Sequence, residues 1–457
     1  LVNSLLSLQN PQGIREDEVE HNFRPCIRSR NIPGYFKMSG HRQHRLRSLA
    51  FQSFAELAMQ RRRDSFRLPS IQKLLSLPPQ VLNIRATDHP AELRSIDVVL
   101  RHHPHDVQMV YIHSWTPATT LHFPSSLANC SGIRDLSLSH VSEEGIMDIV
   151  TSAVQHSANS LHSLRLDDVT VSASLLKTIS SCPKLYLLEV YFSSLMEWNA
   201  SAFASVLSNL TTLQQFSFND YIGNFGCDAV AAIFRALHQS SNLSNVVFSS
   251  FRSPARILPA ITTALQHWKR LTKLELKLSY FGDVDAPVVS QFFSALSRLP
   301  YLQHIDLGSV RLSKIAGFAF ATELSNITTL NYIDLSHNPN LGDEAVIDIL
   351  HAVRQCKGMS TVQLDYCSLT AASLPAITAA LRSWPELATL SLRGNDFSAV
   401  TAEHANDFVA AVNAHEKHVT CLLRDYEGVF PSKDEVFSPL ISVQRYRYIT
   451  NVVYNVP

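Results

Sequence analysis

LNYIDLSHNPNLGDEAVIDIL, residues 330–350, contains one complete structural unit. Ile333 and Leu335 are apolar and two residues apart, a spacing that places both side chains on one face of an extended strand. Val346, Ile349 and Leu350, continued by Val353, recur at helical spacing instead. The change of period predicts a strand that turns and becomes a helix. Gly342 and Asp343 stand at the helix start, where Asp343 is expected to cap exposed N–H groups.

The same unit recurs on both sides. With Ile333 as anchor, the equivalent positions are Leu136, Leu164, Leu188, Phe216, Val246, Leu274, Ile305, Val362 and Leu390. The steps along this series are 28, 24, 28, 30, 28, 31, 28, 29 and 28 residues. A second apolar residue follows each anchor at the second position, from Leu138 and Leu166 through Val190, Phe218, Phe248, Leu276, Leu307, Leu335 and Leu364 to Leu392. Helical periodicity fills the intervals, as at Val230, Ile233, Phe234 and Leu237, and Ser142 before EEGI is a second expected cap. One such unit is too short to bury its own apolar face, and stacking successive units supplies the missing core. Because helices are wider than strands, the stack is expected to curve.

These residues resemble the leucine-rich repeat family, in the long, helix-containing subtype represented by ribonuclease inhibitor and Ran GTPase-activating protein. LSHNPNLGDEAVIDIL and LRGNDFS carry the match, with Asn338 and Asn395 where the family has Asn and Cys367 as its accepted substitute. The resemblance implies an α/β solenoid, a curved horseshoe with parallel strands on the concave face and helices on the convex face. It also implies that Asn338 and Asn395 bond the backbone where the chain leaves the strand. Val141, Val169, Ser193, Tyr221, Phe251, Tyr280 and Val310 stand at or near that position in other repeats, where looser turns are expected. For function the resemblance is nearly silent, because one fold serves many partners.

Residues 79–425 form the expected solenoid of about twelve repeats. It includes two weaker units anchored on Leu82 with Ile84 and Val110 with Ile112, and a last unit anchored on Cys421 or Leu422. Residues 1–45 read as an extended N-terminal arm, 46–78 as a helical cap over the open end, and 426–457 as an extended tail. Formal net charge is zero, yet residues 21–75 hold twelve Lys and Arg against Glu56 and Asp64. Arg42, Arg45, Arg47, Arg61, Arg62, Arg63 and Arg67 belong to that stretch. With Phe23, Tyr35, Phe36, Phe51 and Phe66 interleaved, it suits phosphates and exposed bases, or an acidic protein. Seven scattered Cys lack a paired framework, which favours a reducing compartment. No apolar run approaches the roughly 20 residues that span a bilayer. Leu at position 1 suggests a processed, trimmed or incomplete chain, in which a cleaved targeting segment would be invisible. Five Asn-x-Ser/Thr sequences, at Asn129, Asn199, Asn209, Asn242 and Asn326, are as many as chance supplies in so Ser- and Thr-rich a chain.

No phosphate-cradling glycine loop, zinc-protease or nucleophile-elbow motif occurs, so no catalytic residue, cofactor or small-molecule substrate is assigned. His102, His103 and His105 with Asp106 offer metal-ligand chemistry, but neighbours on one short segment seldom converge on one ion. Cys356 and Cys367 fall in one repeat and read as buried thiols. The strand positions flanking each anchor pair are expected to point away from the core, and there acids outnumber bases, most clearly at Glu275, Asp306, Asp334 and Asp365. Such a face repels phosphates and suits a basic protein surface. The reading is a non-catalytic interaction scaffold, a subunit of a large intracellular assembly such as a mitochondrial ribonucleoprotein. Its partners are other proteins, with RNA on the basic arm. The alternatives are a small-GTPase regulator resembling Ran GTPase-activating protein, without that family's acidic tail, and a ubiquitin-ligase adaptor.

Overall fold

A computed structural model describes residues 81–85, 90–115, 123–191, 200–219, 226–249, 254–277, 281, 284–415 and 419–423. The expected arm, helical cap and tail, and with them Arg42, Arg45, Arg47, Arg61, Arg62, Arg63 and Arg67, lie outside the described residues. So do Ser193, Tyr221, Phe251 and Tyr280.

Thirteen strands among the described residues form one parallel sheet in which spatial order equals sequence order. They are β1 Val81–Arg85, β2 Met109–Trp115, β3 Asp135–Val141, β4 Ser163–Val169, β5 Leu187–Tyr191, β6 Gln215–Asn219 and β7 Asn245–Ser249. The series continues with β8 Lys273–Lys277, β9 His304–Asp306, β10 Tyr332–Asp334, β11 Thr361–Gln363, β12 Thr389–Ser391 and β13 Thr420–Leu422. Between them run α1 Pro90–His102, α2 Glu144–His156, α3 Ala173–Ile179, α4 Ala200–Asn209, α5 Cys227–Leu237 and α6 Pro254–Leu265. The remaining helices are α7 Ala286–Leu296, α8 Lys314–Leu324, α9 Gly342–Val353, α10 Leu374–Leu381 and α11 Ala402–Asn413. A strand crossing to the next parallel strand through a helix, repeated in one direction, stacks the helices on one side of the sheet.

Every anchor read from the sequence pairs with the next in register. Leu82, Val110, Leu136, Leu164, Leu188 and Phe216 stand in one line across the sheet. The line runs on through Val246, Leu274, Ile305, Ile333, Val362 and Leu390 to Cys421. The anchors and their partners two residues on are buried against the helices, joined by helix residues such as Val230, Phe234, Ile349 and Val353. The 24-residue step from Leu164 to Leu188 is accommodated by α3, which has only seven residues.

The strand exits are tighter than expected. Asn338 and Asn395 do bond the backbone. The Asn338 amide donates to Leu307 O and Leu335 O at 2.9 and 2.7 Å, while its oxygen accepts from Leu312 N at 2.8 Å. Asn395 repeats the pattern with Leu364 O, Leu392 O, Cys367 N and Leu369 N. Cys367 donates its thiol to Leu335 O at 3.1 Å. Val141, Val169 and Val310 do not loosen the turn, contrary to the expectation. They are buried plugs, and the pairing of Trp115, Val141 and Val169 extends the ladder by two residues. An apolar side chain can close the turn because the backbone there is already fixed. The preceding residue is left-handed at Ser114, His140, Asp168, Ser309, His337 and Tyr366, with φ between 52° and 59°, and Gly394 takes the same place before Asn395.

The two expected helix caps are also corrected. Glu143, not Ser142, precedes α2 and caps through no side chain, with Glu144 placing a negative charge at the positive helix end. Asp343 lies inside the first turn of α9 and accepts instead from Thr370 N of the next repeat at 2.8 Å. Side-chain caps are supplied elsewhere by Ser172, Ser313 and Thr401.

At the opposite helix end, each repeat completes its neighbour. Carbonyls freed near one helix terminus accept from a side chain about 30 residues later: Leu237 O from Trp268 Nε1 and Val353 O from Trp384 Nε1, both at 3.1 Å. Leu210 O accepts from Ser240 and Cys130 O from Ser157, each at 2.9 Å. Cys356 gives its thiol to Ile327 O, so Cys356 and Cys367 serve different carbonyls and both are free.

Leu335→Asp places a charge at a fully buried position just past β10 and should abolish cooperative unfolding, whereas Asn338→Ala orphans three backbone groups and should cost roughly 3 kcal/mol. Urea melts followed by circular dichroism test both, and wild-type melting of Leu335→Asp would refute the register.

Candidate functional site

The polar face of the sheet is organised around β8, β9 and β10. Parallel pairing in register sets equivalent residues of neighbouring strands about 4.8 Å apart. Glu275 faces Asp306, which faces Asp334, so three carboxylates stand in one row. Like charges at that spacing require compensation, and flanking strand positions provide it. Lys277 lies 2.7 Å from Asp306 and 3.2 Å from Glu275. Lys273 lies 2.6 Å from the other Glu275 oxygen, and His304 Nε2 is 3.3 Å away. Burial pushes the Glu275 carboxyl up, but hydrogen bonds from His304 and Lys273 and the charges of Lys277 and Lys273 outweigh it, leaving a pKa of about 2. Burial pulls Lys277 down, and its bonds and charge interactions with Asp306 and Glu275 more than reverse that, so it is held charged.

Asp334 differs. One oxygen accepts from Ser336 N at 2.8 Å, repeating the Gly308 N to Asp306 bond of 3.0 Å one strand earlier. No cation among the described residues forms an ion pair with it. Burial and the neighbouring Asp306 push its carboxyl above the usual range, against bonds from Ser336 and the charge of Lys277. A Cβ at Gly308 would stand 3.2 Å from Asp306 Oδ1 and 3.7 Å from Asp334 Oδ2, so the bare glycine leaves the space between the two acids open. Tyr332 stands over this row, its ring stacked on His304 at 3.8 Å and 7° and its hydroxyl accepting from Gln363 Nε2. Burial, then the charges of Asp334 and Asp306, push the Tyr332 phenol up.

Asp365 forms a second centre. It accepts from Ser391 Oγ, from Arg393 N and from the Arg393 guanidinium, whose two nitrogens lie 2.9 and 2.8 Å away. Beside it Tyr366, 38% exposed, stacks on His337 at 4.6 Å and 14°. A Cβ at Gly394 would meet the Tyr366 ring at 2.3 Å, so only glycine lets that ring lie flat over the next turn.

The expected acids are thus present in one region, but they are not the solvated row that strand alternation suggested. Asp306 is 0% and Asp365 3% exposed. Long side chains from adjacent strands lie across the row and cover it. Lys273, His304 and Tyr332, which do the covering, escaped the sequence reading because they stand one residue before the anchors. The signal available was the polar or aromatic character of that column.

Glu275, His304 and Asp306 bring three potential metal-ligand atoms within 4.8 Å of one another, the one such group among the described residues. Lys277 and Lys273 already occupy the ligand oxygens, and two ammonium groups at contact distance oppose a dication. The residues present therefore form an ion-pair cluster in preference to a metal cradle. The His102 to Asp106 segment does not converge: His103 pairs with Asp106 at 3.1 Å, and His105 turns to Ser131.

No family model matches the chain. Ribonuclease inhibitor of Sus scrofa is 30% identical over 138 residues, 30% of this chain and 29% of the inhibitor. The Mus musculus inhibitor is 28% identical over the same shares. Protein NLRC5 of Ictalurus punctatus is 24% identical over 169 residues, 37% of this chain and 9% of its own length. The chain therefore spans less than a third of the length of the curated relatives it matches. Among solved structures, an internalin from Listeria monocytogenes aligns with 83% of this chain and 96% of its own at 14% identity, with a TM-score of 0.43.

Glu275 and Asp334 should respond to acid with opposite sign. Glu275, lowered from 4.5 to about 2, contributes stability above pH 4.5 that disappears as pH falls toward 2. Asp334 is raised, so its ionisation opposes folding and protonation relieves that cost. Glu275→Gln should lose about 2 kcal/mol at pH 7, and Asp334→Asn should lose none. Melts from pH 3 to 7 check both signs, and a destabilised Asp334→Asn would contradict the assignment.

Proposed function

We propose that this leucine-rich repeat protein is a non-catalytic scaffold that holds a basic protein surface against β8–β12. The observation that carries the reading is Asp334. It is a buried carboxylate whose ionisation is disfavoured by burial and by Asp306, lacks an ion-pair partner among the described residues and is flanked by Tyr332. A site that costs stability without an internal compensating partner marks a binding position. A Lys or Arg of a partner fits it in charge, and Tyr332 and the exposed Tyr366 add aromatic area of the kind that anchors protein interfaces. The neighbouring acids are neutralised internally, which limits nonspecific attraction and makes one position decisive.

The finer reading is a subunit of a large assembly, with a mitochondrial ribonucleoprotein the first case to test. The basic stretch at residues 21–75 supports it by offering a second contact of opposite charge. Partners, compartment and assembly are parts of this proposal, as is the absence of catalysis. Helices long and apolar enough to cross a membrane do not occur among the described residues.

Gradient sedimentation of the tagged protein from its source, with and without ribonuclease, tests the proposal. A peak far above the 51.0 kDa monomer is expected, and Asp334→Asn, which removes the charge and keeps an oxygen for the Ser336 N–H, should shift the protein out of it without altering its melting curve. Migration of the wild type near the monomer mass would overturn the subunit reading and bring the small-GTPase regulator forward.

A further inference from the structure

Charge is distributed unevenly between the two edges of the sheet. At the edge where strands lead into helices, acids sit at helix starts, as Glu144, Asp228 and Glu403 do. At the edge where helices return to strands, the described connections carry eleven Lys and Arg against three acids, counted from the last helical turn. Helix dipoles favour cations at helix C-termini and account for residues such as Lys177 and Arg235. They do not account for Lys269 and Arg270, which lie four and five residues beyond the end of α6.

The connections into β8 and β9 carry three of these cations and no acid, whereas Arg354, Lys357 and Arg382 farther along the edge are engaged by Ser383 and Asp407. Lys269, Arg270 and Arg298 are all exposed, and none forms an ion pair with another described residue. Tyr301 projects from the same connection as Arg298 and is 59% exposed, a large ring left in water. His267 of the preceding connection lies tilted against His238 one repeat earlier, with ring centroids 5.0 Å apart and planes at 57°. Glu323, in the last turn of α8, accepts from Ser297 Oγ at 2.7 Å.

We propose that this helix-to-strand edge, centred on Lys269, Arg270, Arg298 and Tyr301, binds single-stranded nucleic acid. Repeated cations supply backbone contacts through counterion release, and an exposed ring beside them supplies a stacking surface for a base. A nucleobase presents a flat face that stacks on Tyr301 beside the cations whatever its sequence, so the combination favours a polynucleotide over an acidic peptide. The edge is separate from the Asp334 face, where Lys273 and Lys277 are already engaged by Glu275 and Asp306. It is also separate in sequence from the basic stretch at residues 21–75.

Fluorescence anisotropy of the full chain with a labelled 20-nucleotide oligouridylate, titrated at several salt concentrations, tests the assignment. Lys269→Ser, Arg270→Ser and Arg298→Ser combined should weaken binding at least tenfold and reduce the salt slope by about 2, since each phosphate contact contributes roughly 0.7. Tyr301→Ala should weaken it several-fold with little change in slope. All four side chains are exposed, so unchanged melting curves are expected and serve as the control. Arg61→Ser, Arg62→Ser and Arg63→Ser combined, as a second variant, separate the edge from the N-terminal stretch. The proposal fails if the wild type does not bind at 50 mM salt, or if the edge variant binds as the wild type does while the Arg61–Arg63 variant loses binding. It also fails if oligoglutamate competes as well as the RNA and Tyr301→Ala has no effect, which would identify an acidic protein partner.

Discussion

The structure depends on hydrogen bonds that no repeat can complete alone. A short strand followed by a short helix leaves carbonyls at the helix end and amides at the turn without partners, and a buried orphan of either kind costs free energy comparable to a lost bond. Here they are answered from the next unit. Trp268 reaches Leu237 O, Trp384 reaches Val353 O, and Asn395 closes the turn that Cys367 begins. The apolar stack supplies most of the driving force, but these bonds fix its register. Sliding one repeat past another would break them together.

The polar face follows a different logic. Glu275 and Asp306 are balanced by Lys273, Lys277 and His304 within the chain, and Asp365 by Arg393. These contacts offset the charge of the row within the chain. Asp334 remains outside the balance. Under the proposed function, one unbalanced carboxylate in an otherwise neutralised row would concentrate selectivity at a single point, whereas a uniformly acidic face would attract any cation.

The solenoid was legible in the sequence because burial on one side of a strand imposes an apolar pair two residues apart, and the helix between pairs imposes another period. Even the weak units at Leu82 and Val110 and the terminal Cys421 obey that constraint and pair as read. Local polar detail was less legible. Ser142 and Asp343 have side chains suited to capping, but their value depends on the residue at which the helix begins and on a neighbour such as Thr370, 27 positions away. Val141 and Val169 looked like defects because an asparagine was expected, and the left-handed residues before them carry no apolar pattern to reveal them. The candidate site was half legible. The acids announced themselves by column, whereas their burial depended on Lys277 and Tyr332 reaching across strands, which no single-strand reading captures.

The cross-repeat stitching has a mechanical consequence. Every strand pairs with its sequence neighbours, so tension applied at the two ends of the sheet loads the units in series, and among the described residues no bond links distant repeats to share it. Under traction such a chain would yield one unit at a time from an end, each release lengthening it by roughly 90–100 Å for a 28-residue step. A body built this way is a graded spring whose weakest unit sets the force at which it first gives. The 24-residue step at α3 places a unit with an unusually short helix within that series.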